Sequence, residues 1–259
     1  MIQGLLTRPV TDAVVRPFVT NISGSLHEDG PNFESIDNSK PIACFGVLRG
    51  TGEVMARVDN FYYFDHAYMF GGRHGNSKIF GERIYRLTKN YQNIREIKKL
   101  KKSDYERIEK YQPHVKYEDF KYDGKYILVC DLSDFAKEFY NAHTWLDDTV
   151  KKIKQHTKKE IIVRKKDDTS SLKKQIDEAF AVVSFQSTVC IDAILSGVPS
   201  FTSQYSMGVP VSHQDFSLIE DPIYPVDRRP WINSLLANQF TMTEISNGTA
   251  WKAVNDNNS

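Results

Sequence analysis

The sequence predicts an α/β protein of two Rossmann-like, parallel-sheet units, residues 1–122 and 123–259. Three observations carry this reading. Short apolar runs without polar alternation, among them Pro41–Leu48 (PIACFGVL), Tyr126–Cys130 (YILVC) and AVVSF at 181–185, suit strands buried on both faces. Helical patterns of about 10–12 residues separate the later runs and imply right-handed βαβ crossovers. The length of 259 residues and 40% hydrophobic content supply one large core or two small ones.

Taken in order, residues 21–41 are rich in Ser, Asn, Asp, Gly and Pro and read as an exposed loop. Nothing in residues 1–40 points to a function. The strand in Pro41–Leu48 ends in RGTGEVM (49–55), a glycine-containing turn that opens a helix. A second strand, Phe61–Phe64 (FYYF), ends at Asp65 and His66. Residues 95–125 are rich in Lys, Arg and Tyr with interspersed acids. They read as a solvated surface helix and an irregular connection. The alternative is a stretch whose cations meet phosphates and whose tyrosines stack on bases.

After the strand Tyr126–Cys130 comes a polar loop. Thr144–Asp147 then opens a helix with a pattern like a capping box. Trp145, Leu146, Val150 and Ile153 share one face of it, and Lys151, Lys152 and Lys154 the other. Glu160–Val163 (EIIV) is the next strand, followed by Arg164, Lys165 and Lys166. A helix at Ser171–Ala179 leads to AVVSF, and a helix at Ser187–Ser196 is stopped by Gly197. Val198–Phe201 is the next strand. Arg228–Val254 is helical in pattern, with a capping box at Thr241–Glu244, and the tail Asn255–Ser259 should fray.

The formal net charge of +1 selects no class of partner. Cys44, Cys130 and Cys190 each lie in an apolar run and lack metal spacing, so they read as buried free thiols in a reducing cytoplasm. No stretch reaches the roughly 18 apolar residues that span a bilayer. The first residues lack the compact apolar core of a signal peptide. The expectation is a soluble, cytoplasmic protein with no membrane partner.

Ligands of open parallel sheets bind outside the carboxyl ends of the strands. At those ends stand Arg164 and Lys166 after one strand, and Ser184, Gln186, Ser187 and Thr188 after another. The second group opens a helix, whose unpaired N–H groups and partial positive charge attract phosphate. Two adjacent strand ends would thus supply cations and N–H groups to one diphosphate.

The stretch AFAVVSFQSTVCIDAILSGVPSFT (179–202) resembles the donor-domain motif of GT-B glycosyltransferases. Residues 145–166 and 228–254 resemble segments of capsule-type and phage-encoded glycosyltransferases, and FYYFDHAYMF (61–70) and YRLTKN (85–90) look phage-like. The resemblance covers 125–254 better than 41–90. It implies a GT-B-like architecture with a cleft between the units and C-terminal helices. It also implies a nucleotide sugar as donor, with a UDP-sugar expected, and no bound metal. The motif's acidic residue binds the nucleotide ribose and is usually Glu; Asp192 stands there, one methylene shorter. An inverting transfer needs a general base from the N-terminal half. Asp65 fits best, with His66 beside it and Glu53 as a third candidate. The turn with Arg49, Gly50 and Gly52 would let backbone approach the substrate. The phage-like segments imply an acceptor of 5-hydroxymethylated pyrimidine, such as hydroxymethylcytosine, in double-stranded DNA. Residues 95–125 would then hold the DNA backbone, and the base would have to be flipped out. Two alternatives stand beside this: a polysaccharide or small-sugar transferase or epimerase, and an accessory protein that binds nucleotide or DNA without turnover.

Overall fold

A computed structural model of the chain describes residues 1–28, 30, 33–71 and 80–256. In chain order it forms β1 (Gln3–Leu5), α1 (Pro9–Thr20), β2 (Ser25–His27), β3 (Ile42–Phe45), α2 (Thr51–Met55), β4 (Phe61–His66), β5 (Ile84–Lys89) and α3 (Lys102–Ile108). It continues with β6 (Tyr126–Cys130), α4 (Asp134–Phe139), α5 (Trp145–Ile153), β7 (Glu160–Arg164), α6 (Leu172–Glu178), β8 (Ala179–Ser184), α7 (Val189–Leu195) and β9 (Ser200–Thr202). The chain closes with α8 (Arg229–Ala237), β10 (Gln239–Thr241), α9 (Met242–Ser246) and α10 (Thr249–Asn255).

Two compact units result, and neither is one continuous stretch. The first comprises Met1–Ile94, Leu100–Ile108 and Ser234–Ser259; the second comprises Arg95–Lys99 and Glu109–Asn233. The single boundary expected near residue 122 is therefore replaced by a nested one, because the end of the chain returns to the first unit. The return is built by packing. Phe240, Ile245 and Ala250 enter the same core as Val14, Val15 and Phe18 of α1, and the Trp251 ring lies 5.7 Å from Phe18 and 5.0 Å from Tyr62.

The first unit holds a six-stranded sheet in the order β10-β5-β4-β3-β1-β2. Strands β2, β1, β3 and β4 are parallel, while β5 runs antiparallel to both β4 and β10. Helices α1, α9 and α10 cover one face; α2 and Phe33 pack on the other with Leu5, Ile42, Cys44 and Tyr63. β1, β5 and β10 went unanticipated in the sequence, and β2 lies inside the stretch read as loop. Three residues between 21 and 41 fall outside the described residues, as do 257–259 of the expected frayed tail.

The second unit holds a wholly parallel sheet in the order β7-β6-β8-β9. Every residue of β6 is buried. Tyr126, Leu128 and Cys130 face a core shared with Ile176 of α6 and Val189 and Ala193 of α7. Ile127 and Val129 face the opposite core with Ile153 of α5 and Phe201. This two-sided burial is why YILVC carries no polar alternation.

Local chemistry sets the boundaries. Ser171 caps α6 by accepting from the Lys174 N–H at 3.3 Å. The expected box at Thr144 does not form, since Thr144 is itself helical and makes no side-chain cap bond. The box at Thr241–Glu244 does form, at 3.3 and 2.8 Å, but its helix is short. Gly248, at φ 85°, separates α9 from α10 where one helix was expected. All three cysteines are free and buried. Among the described residues no helix is long and apolar enough to cross a membrane.

Candidate functional site

In the second unit the four parallel strands end at one edge. Cys130 is level with Arg164 on one side and Ser184 on the other, and Ser184 is level with Thr202. The strand order reverses between β6 and β8, so the topological switch point lies at their ends. The sequence reading treated the ends of β7 and β8 as adjacent. They are not: β6 lies between them, so Arg164 and Ser184 stand about 10 Å apart at ordinary strand spacing.

Arg164 is also committed elsewhere. Its guanidinium donates to the Ser170 hydroxyl at 3.1 Å and to the carbonyls of Asp168 and Ser170 at 3.0 Å each. It reaches the Gln175 amide oxygen and lies 3.5 Å from the Asp168 carboxylate. These contacts fasten the loop after β7, so Arg164 is better described as a clamp than as a phosphate ligand. Lys166 is exposed on that loop.

The turn after β8 is polar and well held. Ser187 accepts from the Val189 N–H at 3.4 Å, and the Gln186 amide oxygen accepts the Tyr140 hydroxyl at 2.8 Å. Thr188 precedes α7 in helical conformation, and its side chain makes no cap bond. The Ser184 hydroxyl is fully buried and has no hydrogen-bond partner. One turn into α7, Asp192 is exposed to water yet crowded by protein, and desolvation pushes its carboxyl up to about 6. A carboxyl raised this way beside a polar strand-end turn is a candidate functional group.

A stability test follows. The folded carboxyl titrates above its unfolded value, so the neutral form is the one that folding favours. Its contribution is complete below the unfolded pKa and is lost as pH rises through about 6. Asp192→Asn should therefore match the wild type in melting temperature at pH 4 and exceed it at pH 8. The gain should be about 1–3 °C, small because water screens the side chain. Equal melting temperatures at both pH values would refute the crowding.

Between the two expected strand ends stands a pair that sequence reasoning missed. Asp131, just past β6 and 8% exposed, accepts from Lys137 Nζ of α4 at 2.8 Å and from its neighbour Leu132 N–H at 2.8 Å. The bond to Asp131 is the largest cause raising the Lys137 pKa. The strand-end rule would have flagged Asp131, but the segment after YILVC read only as a polar loop.

In the first unit β3 and β4 are neighbours, so the turn after β3 and the residues ending β4 come together. Gly46, Arg49 and Gly50 have φ of 68°, 61° and 83°. The Thr51 hydroxyl braces this turn against the carbonyls of Gly46 at 2.9 Å and Leu48 at 2.7 Å. Gly52 is buried in α2, while Arg49 and Glu53 are exposed. Asp65 belongs to β4 itself and lies opposite Arg86 of β5. Its carboxylate accepts from Arg86 at 2.6 Å, from the Tyr63 hydroxyl at 2.8 Å and from the His66 N–H at 2.7 Å. Burial opposes the Arg86 charge, but Asp65, Tyr63 and Tyr68 outweigh it and raise its pKa. Asp65 is thus the anchor of a largely buried cation. The exposed His66 sets its ring edge-on to Phe45 at 5.7 Å.

Two cations of the basic stretch are likewise occupied. Arg107 donates to the carbonyls of Ala237 and Gln239 at 3.1 and 2.8 Å, and Lys121 donates to Glu118 and Asp177 at 3.0 and 2.8 Å. Tyr111 is fully buried. Arg95, Lys99, Lys102 and Lys116 of the stretch are exposed.

The fold and strand ends define a class: an α/β protein of two Rossmann-like units, with polar turns at the carboxyl ends of its parallel strands. No family model and no curated protein sequence matches the chain. Among solved structures it is similar to Thermosulfurimonas dismutans KpsC, described as a beta Kdo 2,7 transferase. That match has a TM-score of 0.56 at 13% identity and covers 98% of each chain. A second KpsC structure from the same organism, described as a beta Kdo 2,4 transferase, matches with a TM-score of 0.49 and 11% identity over 92% of this chain and 90% of that one. At 13% identity the first likeness establishes the fold.

Proposed function

We propose that the chain is a glycosyltransferase of the GT-B type, taking a nucleotide sugar at the β6/β8 strand ends and passing the sugar to a saccharide hydroxyl. The observation that carries the reading is the switch point itself, where Gln186–Thr188 and the raised carboxyl of Asp192 share one strand–helix unit. The turn's hydroxyls and N–H groups would stabilise the phosphate as its bond to the anomeric carbon breaks, and Asp192 would accept from the ribose hydroxyls. The acceptor oxygen forms the new bond and releases its proton to a base. Asp65, the base expected from the sequence, is held by Arg86 at 2.6 Å within the first unit.

A saccharide acceptor is preferred to hydroxymethylated DNA because Arg107 and Lys121, in the stretch expected to hold DNA, are spent on internal contacts. Kdo, named in the description of KpsC, is the first sugar to try, and UDP-sugars the second.

The test is incubation with nucleotide-activated Kdo and a panel of UDP-sugars. Acceptors would be oligosaccharides in one arm and hydroxymethylated duplex DNA in the other, with mass gain as the readout. A sugar mass on the oligosaccharide is the expected result. Gain only on DNA would reverse the acceptor assignment, and donor binding without any transfer would leave an accessory nucleotide-binding protein.

A further inference from the structure

We propose that the rings of Tyr140, Phe185 and Tyr205 form a shelf that takes the nucleobase of the donor; this rests on the nucleotide-sugar reading of the same strand ends. Phe185 stands between Ser184 and Gln186, so the shelf begins inside the polar turn. Three separate segments supply the rings: the end of α4, the end of β8 and the loop after β9. The Phe185 and Tyr140 centroids are 5.1 Å apart. Tyr205 lies 5.6 Å from Phe185 at 32° and 5.2 Å from Tyr140 at 38°. Trp145 meets Phe185 edge-on at 5.7 Å and Phe139 meets Tyr140 edge-on at 4.9 Å, which fixes the rings from the sides.

The shelf is held from below and left open above. Phe185 is 8% exposed, whereas Tyr205 is 41% exposed. Ser203 ties the β9 loop to β8. Its N–H and hydroxyl donate to the Phe185 carbonyl at 3.0 and 2.6 Å, and its Oγ accepts the Tyr205 N–H at 3.2 Å. A rigid aromatic kept in water beside a polar turn is what a planar ligand can stack on. The Tyr140 hydroxyl donates to Gln186 Oε1, so the ring that builds the shelf also orients an amide beside it. A flat, π-faced group attached through a sugar to a phosphate suits a shelf that adjoins the polar turn, with Asp192 one helical turn further on.

The experiment is calorimetric titration of the full chain and its variants with UMP, CMP, AMP, GMP and inorganic pyrophosphate. Tyr205→Ser should weaken the preferred nucleotide about tenfold or more while leaving pyrophosphate affinity within twofold. Tyr205→Phe should bind like the wild type. Melting temperatures check folding, and the exposed position makes both variants tolerable. If the wild type binds a nucleotide and Tyr205→Ser binds it equally well, the shelf is wrong and the donor reading survives. If only the Km for an acceptor sugar rises, the rings serve the acceptor, and the proposal is overturned. A wild type that binds no nucleotide removes the shelf together with the donor site.

Discussion

Replacing Gly197 with alanine is expected to destabilise the second unit by about 2–5 kcal/mol and to lower its melting temperature by about 5–15 °C. Gly197 has φ 75°, where a side chain costs about 1–2 kcal/mol. It ends α7 in a Schellman turn: its own N–H donates to Ile194 O at 3.2 Å and the Val198 N–H to Ala193 O at 2.9 Å. The larger effect is steric. An added Cβ would stand 1.9 Å from the Asp119 carbonyl oxygen and 2.7 Å from its carbon, and backbone cannot swing aside as a side chain can. Overpacking of this kind costs about 1–3 kcal/mol. The same approach brings the Lys121 N–H to Gly197 O at 2.9 Å and the Glu118 N–H to Leu195 O at 2.8 Å. Arg228 spans the seam, donating to Ile194 O and Glu118 O at 2.9 Å each. Gly46→Ala is the control. Its φ is 68° but a Cβ there meets nothing within 4 Å, so it should lose only the conformational part. Thermal unfolding of both variants checks the difference; equal losses would show that the contact with Asp119 is immaterial.

Asp65→Ala is expected to lower stability by about 3 kcal/mol or more, whether or not Asp65 takes a proton during catalysis. Removing one partner of a buried ion pair strands the other, at a typical cost of about 3–5 kcal/mol. Arg86 is 8% exposed, and its Nε already lacks a partner. Its remaining neighbours include the rings of Tyr63 and Tyr68, at 5.9 and 5.2 Å, and the Tyr63 hydroxyl. A desolvated cation over aromatic faces gains about 2 kcal/mol or somewhat more, and those contacts exist already, so they do not replace a carboxylate at 2.6 Å. The double change Asp65→Leu with Arg86→Met should recover most of the loss, since two apolar groups leave no orphaned charge. Urea unfolding of the wild type and both variants measures this. If the single variant unfolds with the wild type, Asp65 is not the anchor that its three donors imply. Lost activity in Asp65→Ala alone would therefore say nothing about a general base.

The second unit was legible in the sequence because its strands are buried on both faces and its crossovers are helical. YILVC, EIIV and AVVSF each fell within a residue or two of their observed ends. The first unit was much less so. β1 and β10 are three residues each, too short for any periodicity to register, and β10 pairs with a strand more than 150 residues earlier. β5 alternates weakly because Arg86 and Thr88 are buried along with Ile84, Tyr85 and Leu87. For the site, local signals were readable: the polar turn after β8, the acid one turn into α7 and the glycine that ends it. Strand order was not. That Arg164 lies across β6 from the turn, and that Asp131 with Lys137 fills the gap, depends on pairings between distant segments. Burial likewise hid the true occupation of Asp65, since a carboxylate after an apolar strand reads as available until its partner on β5 is placed.

The nested order of the units bears on how the protein is made. Ribosomes deliver all of 109–233 before Ser234–Ser259, so every strand of the inner sheet is available while the outer one still lacks β10, α9 and α10. At about 5–20 residues per second, the outer core waits seconds for its last aromatic and aliphatic side chains. During that interval β5 is an unsatisfied edge, carrying backbone groups that only the final segment will cover. Chaperone dependence and sensitivity to premature stop codons should therefore concentrate in the first unit, although it is the first to be translated.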